Sequence, residues 1–224
     1  MGTPRITRFT LGPYQTNCYV VREDAQRPDC WLVDCGMEPG QLLAFLEAEG
    51  LAPSVCVLTH AHADHIGGLH EFREKHPDCP IWIHAAEELW LTDAERNLSA
   101  MGGKPMTAPP ADRLLRHAEV LELNGRSWEI RHTPGHSPGS ISLVEVEPLN
   151  DNPVVFAGDA LFAGSIGRTD FPGSSLEQLA DAIRTQLYTL APETVVLPGH
   201  GPPTTIGEER LSNPFVRGVA NADG

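Results

Sequence analysis

Basic residues are scarce in this sequence. Lys and Arg number 16 against 30 Asp and Glu, which gives the 224-residue chain a formal charge of −14 at pH 7. Nucleic acids and anionic membrane surfaces are bound mainly through Lys and Arg. The composition therefore argues against a nucleic acid or an anionic membrane as a partner.

Long apolar segments are absent as well. No apolar run approaches the ~20 residues that a membrane-spanning helix needs. The N-terminal "MGTPRITRFTLG" lacks the apolar region of a secretory signal. Ile6 also stands where a myristoylation signal requires Ser or Thr. We therefore expect a cytoplasmic protein without a membrane span; no prediction of its oligomeric state follows.

The cysteines contain no CxxC pair and are odd in number: Cys18, Cys30, Cys35, Cys56 and Cys79. In a cytoplasmic chain such thiols stay reduced. We interpret them as buried packing residues. The alternative is a structural zinc site that uses Cys30 and Cys35.

Strand and helix signals alternate along the first half of the chain. "RITRFTL", "NCYVVRE", "CWLVDCG" and "SVCVLTH" are predicted strands, and "PGQLLAFLEAEG" is a helix that begins at a Pro and ends at a Gly. Residues 64–77 and 86–95 are predicted helices. Residues 97–118 contain many Pro and Gly and are predicted to form a surface loop, a lid or a disordered insert.

The second half is typical of a meander. "EVLELNGRSWEIRHT" has "NG" as its hairpin turn, "SISLVEVE", "NPVVFAGDA" and "ETVVLPGH" are further strands, and "SSLEQLADAIRTQLYTL" is a helix. No linker divides the chain. Two similar halves flanked by helices predict an α/β layered sandwich, with residues 1–224 as one domain.

One short segment, "LTHAHADHIGG" at residues 58–68, concentrates metal-binding side chains. His60 ends a predicted buried strand. His62 follows two positions later, so in an extended chain its side chain lies on the same side, and both rings can face one ion. Asp64 and His65 begin the next predicted helix, where they can face a second ion. The segment therefore predicts a divided metal site.

Two ions need more ligands than this segment supplies, because zinc takes about four. Three further His or Asp residues follow apolar runs beside a glycine, in "TPGHSPGS", "VVFAGDALF" and "VVLPGHGPP". Two ions roughly 3.5–4 Å apart that share a carboxylate and a water form a hydrolytic centre. The predicted ligands are His60, His62 and His136 for one ion and Asp64, His65 and His200 for the other, with Asp159 as the bridge.

The pattern T-H-x-H-x-D-H followed by G-H, G-D and G-H resembles the metallo-β-lactamase-fold hydrolases over nearly the whole chain. Within that group the sequence is most similar to glyoxalase II, hydroxyacylglutathione hydrolase, in a short form without the C-terminal helical domain. Further matching motifs are "TNCY", "VDCG", "GRTDFPG" and "PGHGPPTTIGEER". The resemblance implies an αββα four-layer sandwich with the metals at one edge of the sheets.

The resemblance also implies an activity. A bridging hydroxide would cleave a small-molecule thioester, with Asp159 between the ions and Asp64 carrying the proton of the attacking water. Zinc is the first expectation for both ions, and iron or manganese are alternatives, because His and carboxylate ligands suit all three. Arg168 is the predicted substrate-binding residue, because related enzymes bind the anionic part of glutathione there; the alternative is a structural pair with Asp170.

Two other functions stay open. A persulfide dioxygenase with a single iron resembles the same family, and a non-enzymatic metal-binding module would use the same ligands. The chain has no GxSxG motif and needs none, because a metal-activated water replaces a serine nucleophile. Asp34 is predicted to orient a ligand histidine or a loop amide.

Overall fold

Six strands form the first sheet of the computed structural model, which describes residues 5–23, 26–146 and 152–217. The sheet order follows the chain, with the first three strands antiparallel and the last four, from β3 onward, parallel. Parallel neighbours require crossover connections, which helices supply here. The strands are β1 Arg5–Leu11, β2 Thr16–Arg22, β3 Asp29–Val33, β4 Ala52–Val57, β5 Ile81–His84 and β6 Arg113–Leu115.

The second sheet also has six strands, in the order β14-β13-β10-β9-β8-β7. Only β10 and β13 pair in parallel. The predicted "NG" turn joins β7 to β8, with Asn124 at φ 51° and Gly125 at φ 91°. Its strands are β7 Val120–Leu123, β8 Arg126–His132, β9 Ile141–Glu145, β10 Val154–Gly158, β13 Val195–Pro198 and β14 Thr204–Thr205; β11 Leu161–Phe162 and β12 Ser165–Ile166 form a separate small hairpin.

Within the described residues, five α-helices cover the outer faces of the two sheets. α1 is Gly40–Ala48, α2 is Ala63–Ile66, α3 is Leu69–Lys75, α4 is Leu176–Ala182 and α5 is Ile206–Ser212. α1 and α3 bury apolar residues against the first sheet, and α4 and α5 bury theirs against the second. No helix of the described residues is long and apolar enough to cross a membrane.

Apolar side chains from both sheets interleave in a central core. Trp31 of the first sheet and Trp128 of the second are fully buried, with ring centroids 5.0 Å apart in an edge-on arrangement. Two further apolar cores lie between each sheet and its helices. The fold therefore has four layers in the order helix, sheet, sheet, helix. The predicted αββα sandwich is confirmed, while the assignment of residues 1–224 to one domain stays a prediction.

Four predicted segments differ from the structure. The predicted helix 174–190 is α-helical only at Leu176–Ala182 and continues as a π-helix at Ile183–Leu187. The predicted helix 64–77 is split into α2 and α3, because the Gly67–Gly68 pair interrupts it. The segment Ala85–Trp90 is a 3₁₀ helix rather than an α-helix, with non-helical backbone angles at Glu87. The predicted loop 97–118 contains the strand β6, and its first residue, Asn97, is fully buried.

The five cysteines are all buried and unpaired. Burial raises the pKa of the Cys35 and Cys56 thiols, which disfavours the thiolate that a zinc ligand needs. Among the described residues, no group of potential metal ligands contains a cysteine. Neither observation supports the alternative of a zinc site at Cys30 and Cys35.

Candidate metal centre

The predicted ligands meet at one edge of the sandwich, because each follows the end of a strand. The segment with His60 and His62 follows β4 and leads into α2, which carries Asp64 and His65. The remaining three follow strands of the second sheet, with His136 after β8, Asp159 after β10 and His200 after β13. The structure brings all seven side chains together.

The first group consists of His60, His62 and His136. The potential ligand atoms of these side chains all lie within 4.8 Å of one another. His62 Nδ1 and His136 Nε2 are 2.9 Å apart, and His60 Nε2 is buried without a hydrogen-bond partner. A buried nitrogen without a partner is costly unless a ligand engages it, so the group fits a metal ion.

The second group consists of Asp64, His65 and His200. His200 Nε2 lies 3.1 Å from Asp64 Oδ2 and 3.4 Å from His65 Nε2. Tetrahedral ligands with metal–nitrogen bonds of about 2.1 Å are separated by about 3.4 Å, so these spacings are compatible with ligands around one ion. Imidazole and carboxylate donors of this kind suit zinc, iron or manganese.

Asp159 lies between the two groups. Its Oδ1 is 3.3 Å from His65 Nε2, and its Oδ2 is 3.5 Å from His136 Nε2 and 3.4 Å from His200 Nε2. One carboxylate therefore contacts ligand atoms of both groups. This is the arrangement expected of a bridging ligand.

Burial controls the charge of the first group. It lowers the pKa of His62 to about 3, and the neighbouring His136 acts in the same direction. Burial also lowers the pKa of His60 and of His136. The three imidazoles are therefore neutral, which is the form that binds a metal.

Carboxylates control the charge of the second group. Although burial opposes the shift, hydrogen bonds to Asp159 and Asp64 raise the pKa of His200 to about 9. Burial also opposes the shift at Asp64, but the charge of His65 and a hydrogen bond from His200 lower the pKa of Asp64 to about 2. Two ionised carboxylates thus make this side of the site favourable for positive charge.

Residues 11–200 match the family model of the metallo-beta-lactamase superfamily. The chain belongs to this superfamily. The probable metallo-hydrolase YqgX of Bacillus subtilis is 42% identical over 214 residues, which cover 95% of this chain and 98% of the relative. The hydroxyacylglutathione hydrolase GloC of Haemophilus influenzae is 36% identical over 205 residues, which cover 91% and 93%.

Three solved structures superpose closely on this chain. The BLEG-1 B3 metallo-beta-lactamase is 39% identical, with a TM-score of 0.88 over 96% of this chain and 100% of the other. TTHA1623 in a di-iron-bound form is 38% identical, with a TM-score of 0.78 over 94% and 100%. ETHE1 from Myxococcus xanthus is 26% identical, with a TM-score of 0.74 over 94% and 83%.

In four histidines of the cluster, the ring nitrogen Nδ1 contacts a polar group outside the cluster. Such partners fix the ring orientation and leave the other nitrogen directed at the ion. The contacts are His60 Nδ1 to Thr59 Oγ1 at 3.1 Å, His65 Nδ1 to Asp34 Oδ2 at 2.8 Å, His136 Nδ1 to the Arg168 carbonyl at 2.8 Å and His200 Nδ1 to the Tyr14 carbonyl at 3.1 Å.

A glycine next to His200 is required by close packing. A Cβ at Gly199 would lie 2.1 Å from Asp159 Oδ1 and 2.7 Å from His65 Cε1. No side chain fits at that distance. The motif "PGH" thus allows the strand end to approach the bridging carboxylate.

Arg168 reaches the site through its backbone rather than its side chain. Its guanidinium pairs with Asp170 at 2.8 Å and lies 4.4 Å from the centre of the Phe171 ring, and both charged side chains are 67% exposed. The structural pair considered in the sequence is therefore present. A role of Arg168 in substrate binding stays a proposal.

Three polar residues behind the site were not among the predicted site residues. Thr16 donates a hydrogen bond from Oγ1 to Asp64 Oδ2 at 2.9 Å, and the Asn97 carbonyl accepts from the Ala63 amide at 2.9 Å. The carboxylate of Glu87 is fully buried. "TNCY" includes Thr16, but nothing in the single sequence distinguishes Asn97 or Glu87 from their neighbours.

Proposed function

We propose that this chain is a metal-dependent hydrolase of small-molecule thioesters, of the hydroxyacylglutathione type, with two divalent ions at its active site. One observation carries the proposal: the seven side chains form two groups of three with the Asp159 carboxylate between them. The similarity to GloC of Haemophilus influenzae supports the reaction class.

The seven clustered residues would have different roles, according to the ion that each of them binds. Two bound ions, zinc by preference, would supply Lewis acidity and lower the pKa of a water so that hydroxide forms near neutral pH. His60, His62 and His136 would bind the first ion, and Asp64, His65 and His200 the second. The Asp159 carboxylate would set their separation.

We assign the movement of a proton to Asp64. Its Oδ2 accepts a hydrogen bond from Thr16, and its side chain is 19% exposed, whereas His65 beside it is fully buried. It can therefore carry the proton of the attacking water toward solvent. A thiolate leaves without a separate general acid, because thiols have pKa values near ~8.5.

A persulfide dioxygenase with one iron is the second candidate. The cluster of His60, His65 and Asp159 contains two imidazoles and one carboxylate, the donor set of many non-haem iron oxygenases. The hydrolase has the stronger support, because the ligands extend beyond one such triad.

The deciding experiment combines metal analysis of the purified protein with three assays. These are hydrolysis of S-lactoylglutathione and simple acyl thioesters, oxygen uptake with glutathione persulfide, and hydrolysis of a chromogenic cephalosporin. We expect two metal equivalents and thioester hydrolysis. One iron with persulfide-dependent oxygen uptake and no thioesterase would overturn the proposal, as would a cephalosporin turnover that exceeds all thioester turnover.

Two variants test the site itself. Asp159→Ala and His60→Ala should lose metal and reduce kcat/KM by more than about 100-fold, beyond the 10–100-fold typical of residues behind the ligands. The matched control is His70→Ala, an exposed histidine nearby in the sequence. Full hydrolysis by either ligand variant would contradict the ligand assignment, and metal binding without turnover of any substrate would leave only a metal-binding module.

A further inference from the structure

A buried carboxylate lies directly behind the first group of histidines without belonging to it. Glu87 is in the 3₁₀ segment Ala85–Trp90 that follows β5, and its side chain is fully inaccessible. Among the groups of potential metal ligands in the described residues, none includes it. An acid buried at this depth is costly unless its oxygens are well hydrogen-bonded.

Three donors satisfy both carboxylate oxygens. Oε2 accepts the Ala61 amide at 2.6 Å. Oε1 accepts the Ser137 hydroxyl at 2.5 Å and the Gly139 amide at 2.7 Å. Burial raises the pKa of Glu87, and these three hydrogen bonds oppose that rise.

These donors belong to the two loops that carry the first ligand group. Ala61 stands between His60 and His62, and Ser137 follows His136 directly. The loops follow β4 and β8, which belong to different sheets, and the Ile141 amide ties them at one point by donating to the Thr59 carbonyl at 2.9 Å. Glu87 adds a second connection, beside the ligands themselves. One carboxylate therefore connects all three histidines of the group through their own backbone segments.

The loop with His136 is shaped around this carboxylate. A Cβ at Gly139 would lie 2.7 Å from Glu87 Cγ and 3.0 Å from Cδ, so only glycine allows the approach. Ser137 Oγ also lies 2.8 Å from Ser140 Oγ, which restrains the hydroxyl that donates to Glu87. The fit involves several residues of "TPGHSPGS" in addition to the ligand.

We propose that Glu87 is a positioning residue that sets the spacing of His60, His62 and His136 and thereby the metal affinity of the first group. This inference rests on the metal centre of the proposed function. A glutamine amide cannot replace the carboxylate. Its NH₂ group would face an N–H or O–H donor that now donates to an oxygen, and two donors form no hydrogen bond. Glu87→Gln therefore breaks the connection between the loops with almost no change in volume.

The experiment measures zinc affinity for each group separately, by competition with a chromophoric chelator. His200→Ala removes a ligand of the second group and leaves the first intact, and His62→Ala does the reverse. We expect Glu87→Gln to weaken zinc binding by roughly 10–100-fold in the His200→Ala background. In the His62→Ala background the same substitution should change affinity by less than about threefold.

Glu88→Gln is the matched control, because Glu88 is the adjacent residue, has the same charge and is exposed. It should leave zinc affinity unchanged in both backgrounds. Equal losses in both backgrounds, or no loss in the His200→Ala background, would overturn the role of Glu87. Far-UV circular dichroism and a thermal melt establish that each variant is folded.

A second route covers the case in which Glu87→Gln does not fold. Ser137→Ala removes one donor and keeps the charge, and it should give a smaller loss confined to the first group; no loss there would overturn the proposal. The readout is zinc affinity rather than turnover. Absence of thioester hydrolysis would therefore overturn only the proposed reaction, whereas absence of zinc binding by the unsubstituted protein would overturn both.

Discussion

Asp34 Oδ2 lies 2.8 Å from His65 Nδ1, and both side chains are almost fully buried. The same carboxylate accepts the Thr59 amide through Oδ1 at 2.8 Å and the Thr59 hydroxyl through Oδ2 at 2.8 Å. Asp34 adopts φ 60°, a left-handed conformation that is uncommon outside glycine and often found at functional sites. It therefore orients a ligand histidine and also fixes the start of the segment that carries the ligands.

Asp34→Asn should weaken metal binding and catalysis together. Asparagine tolerates the left-handed conformation, so the backbone is retained, but the amide cannot accept from His65 and Thr59 as the carboxylate does. We expect a loss of about 10–100-fold in metal affinity or kcat/KM. Chelator competition and steady-state kinetics measure it, with the exposed Asp78→Asn as control. Unchanged metal affinity would show that the contact is dispensable.

The clustering of the proposed metal ligands was predictable from the sequence because most of them follow a strand end. His136, Asp159 and His200 each stand beside a glycine after an apolar run, and the structure places them together. Asp34 was predictable for the same reason. The pattern of strands ending in polar residues also made the layered fold predictable.

Glu87 was not predictable. The segment "AEELW" has an adjacent pair of acids, and a regular helix gives no reason to bury the first rather than the second. The backbone leaves helical geometry at Glu87, with φ −120°, which turns this side chain inward. This inward orientation depends on tertiary packing against Gly139, 52 residues away, so a local sequence pattern does not predict it.

Gly199→Ala should reduce activity without a large change in stability of the rest of the fold. The added Cβ would lie 2.1 Å from Asp159 Oδ1, so the bridging carboxylate must move. Because a misplacement of about 1 Å at a reacting centre can cost about 100-fold in rate, we expect a loss of that order in kcat/KM. Steady-state kinetics and metal analysis of the same sample measure the effect.

The matched control is Gly40→Ala. Gly40 begins α1, and a Cβ there meets nothing within 4 Å. Alanine favours a helix interior over glycine by about 0.5–1 kcal/mol and favours this first position by less, so the variant should be at least as stable and fully active. Wild-type kinetics from Gly199→Ala would refute the packing argument.

His84 should make the protein less stable as the pH falls. Burial, together with His132, Arg116 and His117, lowers the pKa of His84 to about 4. A histidine in the unfolded chain has a pKa near ~6.5. Between these two values the unfolded state binds a proton that the folded state does not, so the free energy of unfolding decreases from about pH 6.5 to pH 4.

His84→Asn should make the free energy of unfolding depend less steeply on pH. The change in slope should correspond to less than one proton, because His84 is partly exposed. Asparagine can still accept the Ala86 amide that His84 Nδ1 accepts now, so the start of the 3₁₀ segment is preserved. Urea unfolding at several pH values from 4 to 7 gives the slope, with the exposed His70→Asn as the comparison. An identical slope for His84→Asn and the unsubstituted protein would contradict the assignment.

Arg168 and Asp170 allow a test of substrate charge at the mouth of the site. The guanidinium now pairs with the Asp170 carboxylate, and an anionic substrate must compete for it. Asp170→Asn should therefore lower KM for a thioester that carries a carboxylate by about 2- to 5-fold, the range expected for an exposed ion pair. Arg168→Gln should raise the same KM by a similar factor. Neither variant should alter KM for an uncharged acyl thioester, and parallel changes for both substrates would assign Arg168 a purely structural role beside His136.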